Sequence, residues 1–353
     1  MGGAEIFTRE ILKHWALAGH EITLFTSCFR GCKEEEDSEE IRIVRKGSKF
    51  SVYMKAMQFY RKVLSKQEFD VVVDEINTIP FLTPRFVRNG EKIIALIHQL
   101  AREYWFYETP FPINFLGYHY LEEKLLKNYT KIPTVTVSNS TKNDLIELNF
   151  EEIHVVGEGL NFAPLSRVSE KENLPVIVYV GRLKNAKRPQ HAIQAFNILR
   201  KTVPKAELWI IGEGPLKKEL MKDAGCNIRF FGALSNTERR NLIKKAWVLV
   251  NPSVREGYGL NIVEANALGV PSVAYDVPGL RDSVKDGETG ILVPSGEKHA
   301  LAGAIVRILT DDALRIRLSE EALAYSRNFS WEKVSNEFIN VVEKALWEKS
   351  PWN

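Results

Sequence analysis

Short unbroken apolar runs recur along this chain, each followed by a helix-length segment, and that recurrence limits the fold more than any other feature. Residues 69–73 read FDVVV and residues 92–97 read KIIALI. Residues 176–180 (VIVYV) and 207–211 (ELWII) repeat the pattern, and residues 228–231, 248–250 and 272–274 give shorter versions. A strand that is apolar on every side chain is buried on both faces, which is the condition of a parallel sheet covered by helices. The intervening segments supply those helices. Ile6, Ile11, Leu12 and Trp15 fall on one helical face, with Gly19 as the stop. Helices are also expected over 50–64 and 190–200, and after the strand at 134–137, where Ser140 or Thr141 can cap. Residues 33–40 are read as a solvated acidic loop.

The alternation lapses between residues 160 and 174 into Asn, Pro, Ser, Glu and Lys, then restarts. A chain of 353 residues suits two domains. The expected division is 1–160, a linker at 161–174, a second domain at 175–330, and a closing amphipathic helix within 331–353. The fold class is α/β: two doubly wound, Rossmann-like parallel sheets facing each other, with ligands at the carboxyl ends of the strands. A doubly wound domain opens with its central strand, yet here Gly2 and Gly3 lead directly into a helix. The expectation is a first domain lacking that strand, in a natural chain that starts upstream of Met1. Mass spectrometry of the native protein would reject this by finding its N-terminus at Met1 or Gly2.

Composition narrows the function classes. Forty-eight basic against 45 acidic side chains leave a net charge of +3, which gives no electrostatic footprint for nucleic acid. Three cysteines cannot build a disulfide framework, and no apolar run reaches membrane-spanning length. With no signal-peptide pattern at the start, the chain reads as cytoplasmic.

The strongest chemical signal is Arg255-Glu256-Gly257-Tyr258-Gly259-Leu260-Asn261-Ile262-Val263-Glu264. It follows the strand at 248–250 and opens a helix. Two glycines at the helix start let the backbone approach a ligand, and the unpaired amides of Gly259, Leu260 and Asn261 favour an anion. Glu256 in the loop and Glu264 two turns into the helix are spaced to bind hydroxyls at opposite ends of a polar ligand. Either glutamate alone fits a solvated surface residue; the pair flanking a glycine-rich turn does not.

This segment resembles the Glu-x7-Glu signature of retaining glycosyltransferases of family 4, which have the GT-B fold. Further pieces agree in order and spacing: Gly2-Gly3-Ala4-Glu5, Val180-Gly181-Arg182-Leu183 with Lys187, Ile211-Gly212-Glu213-Gly214-Pro215, and Asp276-Val277-Pro278-Gly279-Leu280 before Asp286-Gly287-Glu288-Thr289-Gly290. The resemblance implies a hexosyltransferase that moves a sugar from a nucleotide diphosphate sugar to a hydroxyl of a saccharide or lipid-linked acceptor, with retention. It implies that Glu264 binds the ribose hydroxyls, that Glu256 lies beside the donor sugar, and that Arg182 and Lys187 neutralise the diphosphate. Gly257, Tyr258, Gly259, Leu260 and Asn261 complete the donor turn. Gly2 and Gly3 would close on the diphosphate through their amides, His98 would face the donor sugar, and Asn139 would line the cleft. The closing helix would cross back to the first domain, on a stripe of Trp331, Val334, Phe338, Val341, Val342, Ala345 and Leu346.

No Asp-x-Asp motif occurs, and the histidines lack ligand spacing, so no metal or other cofactor is expected. The aromatic stretch Tyr104, Trp105, Phe106 and Tyr107, with Phe111, Phe115, Tyr118 and Tyr120, suits an acceptor sugar or a lipid. The helix at 50–64, with Lys55, Arg61 and Lys62 beside Met and aromatic residues, suits peripheral contact with the inner face of a membrane. Two alternatives share the fold: a nucleotide-sugar epimerase, and a nucleotide-sugar binding protein without turnover.

Overall fold

The computed structural model describes residues 2–88 and 90–347; Met1, on which the expected chain start turns, lies outside them. The chain divides into two compact units. One comprises Met1–Arg102, Phe115–Gly159 and Ser330–Asn353; the other comprises Glu103–Asn114 and Leu160–Phe329.

Among the described residues, seven strands of the first unit fall into two sheets. β1 (Ile22–Thr26), β2 (Glu35–Ser38) and β3 (Ile41–Arg45) run in the order β1-β3-β2. β4 (Val71–Ile76), β5 (Lys92–Ile97), β6 (Thr134–Thr136) and β7 (Ile153–Val155) form a four-stranded parallel sheet in chain order. In an unbroken doubly wound sheet, β1 and β4 would both pair with a strand between them. Here each edges a separate sheet, and Val73 in the middle of β4 remains 36% exposed.

The acidic segment at 33–40 is not a solvated loop. Its Glu35–Ser38 portion pairs antiparallel with β3 through a two-residue turn at Glu39 and Glu40, both at positive φ (53° and 65°). That is the geometry of a tight hairpin. The acidic run is tolerated because basic residues of β3 meet it: Arg42 bonds Glu35 at 3.2 Å, and Arg45 bonds Glu36 at 2.6 Å. The helix after β6 also differs from expectation. It spans Asn139–Glu147, and Ser138 caps it by accepting the Thr141 amide at 3.2 Å, two to three residues before the expected caps.

The first unit's core joins the two ends of the sequence. The helix Gly3–Leu17 packs Phe7, Ile11 and Trp15 inward, and the helix Trp331–Trp347 belongs to the same unit. Trp15 and Phe338 stand 5.0 Å apart edge to face, Phe7 and Trp331 5.8 Å, and the Trp15 indole N–H donates to the Ser335 carbonyl at 3.3 Å. The predicted stripe is buried through Ala345, while Leu346 in the last turn is 41% exposed.

The second unit is one six-stranded sheet: β8 (Val176–Val180), β9 (Glu207–Ile211), β10 (Ile228–Gly232), β11 (Val248–Asn251), β12 (Ser272–Tyr275) and β13 (Gly290–Val293). Every pairing is parallel, and the order is β10-β9-β8-β11-β12-β13. The direction of winding reverses between β8 and β11, so the loops leaving those neighbours diverge and open a crevice at their carboxyl ends. The segment expected to be a linker is bonded along this unit instead. Leu165 N–H reaches the Ala267 carbonyl at 2.9 Å, and Glu172 N–H reaches that of Lys245 at 3.0 Å. Lys171 donates to the carbonyls of Lys244 (3.1 Å) and Gly269 (2.9 Å). Polar residues that read as solvated in sequence are satisfied here by helix-end carbonyls.

Candidate active site

The loops after β8 and β11 bring together Lys187 and Glu256, both predicted from sequence. The turn Asn185–Lys187 aims the ammonium at the Glu256 carboxylate, and the two form an ion pair with side chains 20% and 16% exposed. The other Glu256 oxygen accepts from Ser253 Oγ at 2.8 Å. Burial pushes the Lys187 ammonium down, but Glu256 and Tyr104 more than reverse this, so its pKa stands above the ordinary lysine value. Two glycines let the loops after β9 and β12 pack closely against those after β8 and β11. A Cβ on Gly212 would lie 1.9 Å from the Gly181 carbonyl oxygen, and one on Gly279 would lie 2.1 Å from that of Glu256.

Gly259 adopts φ +86°, which turns the chain into the helix Leu260–Ala267. The Asn261 side chain is committed to the scaffold: its Nδ2 donates to the Val180 carbonyl at 2.8 Å, and its Oδ1 accepts from Asn251 at 3.1 Å. It pins the signature helix to the ends of β8 and β11, leaving its role toward an anion to the backbone. Gly257 lies in the loop with Glu256, and the Tyr258 ring meets Phe329 edge to face at 5.9 Å. Glu264 bonds Arg239 at 2.7 Å. Burial raises its carboxyl above the usual range, and Arg239 opposes that rise. Arg182 lies exposed just past β8.

Sequence reasoning missed a second layer of this site. Glu103–Asn114 belongs to the second unit, and its short helix Tyr104–Glu108 lies on the basic turn. The Tyr104 ring lies 5.0 Å from the Lys184 ammonium and 5.8 Å from that of Lys187, and its hydroxyl donates to the Arg255 carbonyl at 3.0 Å. Glu103 bonds the buried Arg255 at 3.1 Å, Glu108 bonds Lys184 at 3.3 Å, and Arg188 donates to the Tyr107 hydroxyl at 2.7 Å. The aromatic stretch was visible in the sequence. Its partners, about eighty and one hundred and fifty positions later, left no local signal.

The remaining predicted residues lie in the first unit. His98 follows β5 and is 5% exposed. Its Nε2 is 3.2 Å from Glu75 Oε1, and the Phe7 ring meets it edge to face at 5.1 Å. Asn139 is exposed at the start of its helix. Gly2 and Gly3 do not form a separate loop: Gly3 begins the first helix, and the Gly2 amide donates to Glu5 Oε2 at 2.6 Å.

A six-stranded parallel sheet in the second unit, and a four-stranded parallel sheet with the C-terminal helix in the first, are the parts of the GT-B fold of glycosyltransferases. The chain belongs to family 4, group 1, of these enzymes. The model described as Glycosyltransferase Family 4 matches residues 1–163, and that described as Glycosyl transferases group 1 matches residues 164–324. Among curated relatives, D-inositol 3-phosphate glycosyltransferase of Corynebacterium glutamicum is 33% identical over 182 residues, covering 48% of this chain and 44% of the relative. Glycogen synthase of Mycobacterium tuberculosis is 31% identical over 230 residues, covering 62% of this chain and 55% of the relative. The chain therefore spans about half the length of these relatives. Among solved structures, sucrose-phosphate synthase from Thermosynechococcus elongatus superposes with a TM-score of 0.79 at 20% identity, covering 97% of this chain and 93% of that one. An Anabaena protein solved with UDP and glucose gives 0.72 at 14% identity, covering 97% and 96%. These likenesses concern the fold. Among the described residues, no helix is long and apolar enough to cross a membrane.

Proposed function

We propose that this chain is a retaining hexosyltransferase that moves a sugar from a nucleotide diphosphate sugar to a hydroxyl of a saccharide or lipid-linked acceptor. The observation that carries the reading is the Lys187–Glu256 pair at the sheet's switch point, beside the helix start at Gly259. A cation and a carboxylate held at one point suit a ligand that carries phosphate next to a sugar. Lys187 and Arg182 supply positive charge to the leaving diphosphate in place of a metal ion, and the first-turn amides of Gly259, Leu260 and Asn261 add to it. Gly257 and Tyr258 shape the turn around the donor. Glu256 accepts hydrogen bonds from hydroxyls of the donor sugar, and Glu264 from those of the ribose. For the first unit, the family resemblance assigns His98 and Asn139 to the sugar and Gly2 and Gly3 to the phosphate; here the Gly2 amide is held by Glu5. Donor binding exchanges the Lys187–Glu256 and Arg239–Glu264 contacts for contacts with ligand. The ligand named for the Anabaena neighbour, UDP with glucose, supports this donor class.

The test is a thermal-shift panel of UDP, GDP, ADP and CMP and their sugars, followed by product analysis. One nucleotide class should stabilise the protein, by about 2.7 kcal/mol at a hundredfold excess over Kd. Glu264→Ala should lose that shift, and the product's anomeric centre should keep the donor configuration by NMR. An inverted product would reject retention; no shift with any nucleotide would reject the donor site. A lipid-linked acceptor would sit at a membrane surface. Phe115, Leu116, Tyr120 and Leu121 (43%, 52%, 61% and 38% exposed) support contact there. Sedimentation with anionic vesicles should carry the protein down and should weaken for Leu116→Ser/Tyr120→Ser.

A further inference from the structure

The first unit contains a three-residue chain that the roles above leave unused. Thr8 Oγ1, on the first helix, donates to Glu75 Oε2 at 2.8 Å. The other oxygen of Glu75, near the end of β4, lies 3.2 Å from Nε2 of His98, which follows β5. A carboxylate only accepts hydrogen bonds, so the imidazole nitrogen facing it is the one that carries hydrogen. In a neutral imidazole the other nitrogen is then an acceptor, and which nitrogen is protonated follows from the bond the first one makes. No hydrogen bond to Nδ1 is seen among the described residues. The ring cannot turn over freely to exchange its nitrogens: it is 5% exposed, and the edge-to-face contact with Phe7 packs against it. Thr8 holds the carboxylate in turn, from the helix that Gly2 and Gly3 open.

We propose that Glu75 is a positioning residue that locks His98 in the Nε2–H tautomer and so presents Nδ1 as a hydrogen-bond acceptor for a ligand hydroxyl. The ligand part rests on the role given to His98 above; the tautomer part does not. The specificity that follows is for a ligand with a hydroxyl at that position, because an acceptor nitrogen offers nothing to a deoxy carbon or to another acceptor.

The side-chain nitrogens of the full chain, labelled with 15N and assigned with His98→Gln, are read by long-range 1H–15N NMR above the imidazole titration. Wild-type His98 should show a protonated Nε2 and a bare Nδ1. Glu75→Leu should move the pair toward the opposite tautomer or a mixture, and Glu75→Gln, which keeps an acceptor oxygen, should restore the wild-type pattern in part. With the donor found by the panel above, Glu75→Leu should lower kcat/KM about two- to tenfold, as the loss of one neutral hydrogen bond to the ligand does. Nucleotide affinity should be unchanged. A wild-type spectrum with hydrogen on Nδ1 overturns the proposal without recourse to any variant, as does a Glu75→Leu spectrum identical to wild type. If the tautomer follows Glu75 while His98→Ala keeps full turnover, the lock stands and the ligand role of His98 is overturned.

Discussion

Replacing Lys187 by Met tests the central pair of the second unit in a way that separates folding from binding. The substitution keeps the unbranched stem, one atom shorter, and deletes its charge, leaving Glu256 with Ser253 Oγ at 2.8 Å. Exposed ion pairs are worth about 0–1 kcal/mol, whereas breaking a buried pair costs about 3–5 kcal/mol. Side-chain exposures of 20% and 16% put this pair between those limits but nearer the buried one, so about 2–3 kcal/mol is expected. For a unit of this size that lowers the melting temperature by roughly 4–12 °C. Glu256→Gln alone should cost a similar amount. The double variant, with both charges gone, should recover about 1–2 kcal/mol relative to the sum, because neither partner is stranded. Denaturant unfolding followed by Trp209 and Trp247 fluorescence reads stability, and calorimetric titration with the nucleotide diphosphate sugar reads binding, which should weaken about ten- to hundredfold in Lys187→Met. Strict additivity of the two single variants would refute the pair. Unchanged donor affinity in Lys187→Met would refute its role toward the diphosphate.

The second unit's glycines offer a steric contrast. Gly279→Ala, at φ +82° and with a Cβ 2.1 Å from the Glu256 carbonyl, should displace the Glu256 loop and abolish donor binding, whereas Gly287→Ala, at φ +76° with open space around it, should cost only about 1–2 kcal/mol and leave binding intact. Equal effects in the melting and binding assays would contradict this. Glu158 is 5% exposed, with one carboxylate oxygen unpartnered among the described residues, and burial holds its pKa well above the ordinary value. The folded state therefore binds its proton more tightly than the unfolded state, and stability falls as pH rises above about 4.3, the unfolded value. Glu158→Gln should raise the melting temperature at pH 7.5 and lose that advantage below pH 4. His191 behaves in the opposite sense: burial, then Arg188 and Lys298, hold it down to about 4. Its contribution is present above about pH 6.5 and is lost as pH falls through 4, so His191→Gln should flatten the melting curve's dependence on pH over that window.

Much of the site was legible because its chemistry is local in sequence. Glu256, Gly259 and Glu264 lie within nine residues of one another, on one strand–turn–helix unit, and their spacing survives folding. The same holds for the strand ends that carry Lys187 and His98. The partners were not legible. Glu75 and His98 meet only because β4 and β5 are neighbours in register, and Thr8 reaches them from a helix sixty-seven positions away. The acidic segment at 33–40 misled for a similar reason: a run of like charge reads as solvated until a neighbouring strand supplies arginines. The segment at 160–174 misled because its polar side chains meet helix-end carbonyls that no local pattern announces.

Local pattern was enough to place the parallel strands and the residues at their ends, because hydrophobic period and turn chemistry act over a few residues; it was not enough for burial, since Val73 in β4 stays 36% exposed. Which charge answers which depended on the packing of distant segments. It set Glu256 against Lys187, Arg239 against Glu264, Glu75 against His98, and Tyr104 beneath two lysines, since each of these contacts joins residues far apart in the chain. Electrostatic partnership depends on distance in space, and in a doubly wound sheet the order of strands, not the order of residues, sets that distance.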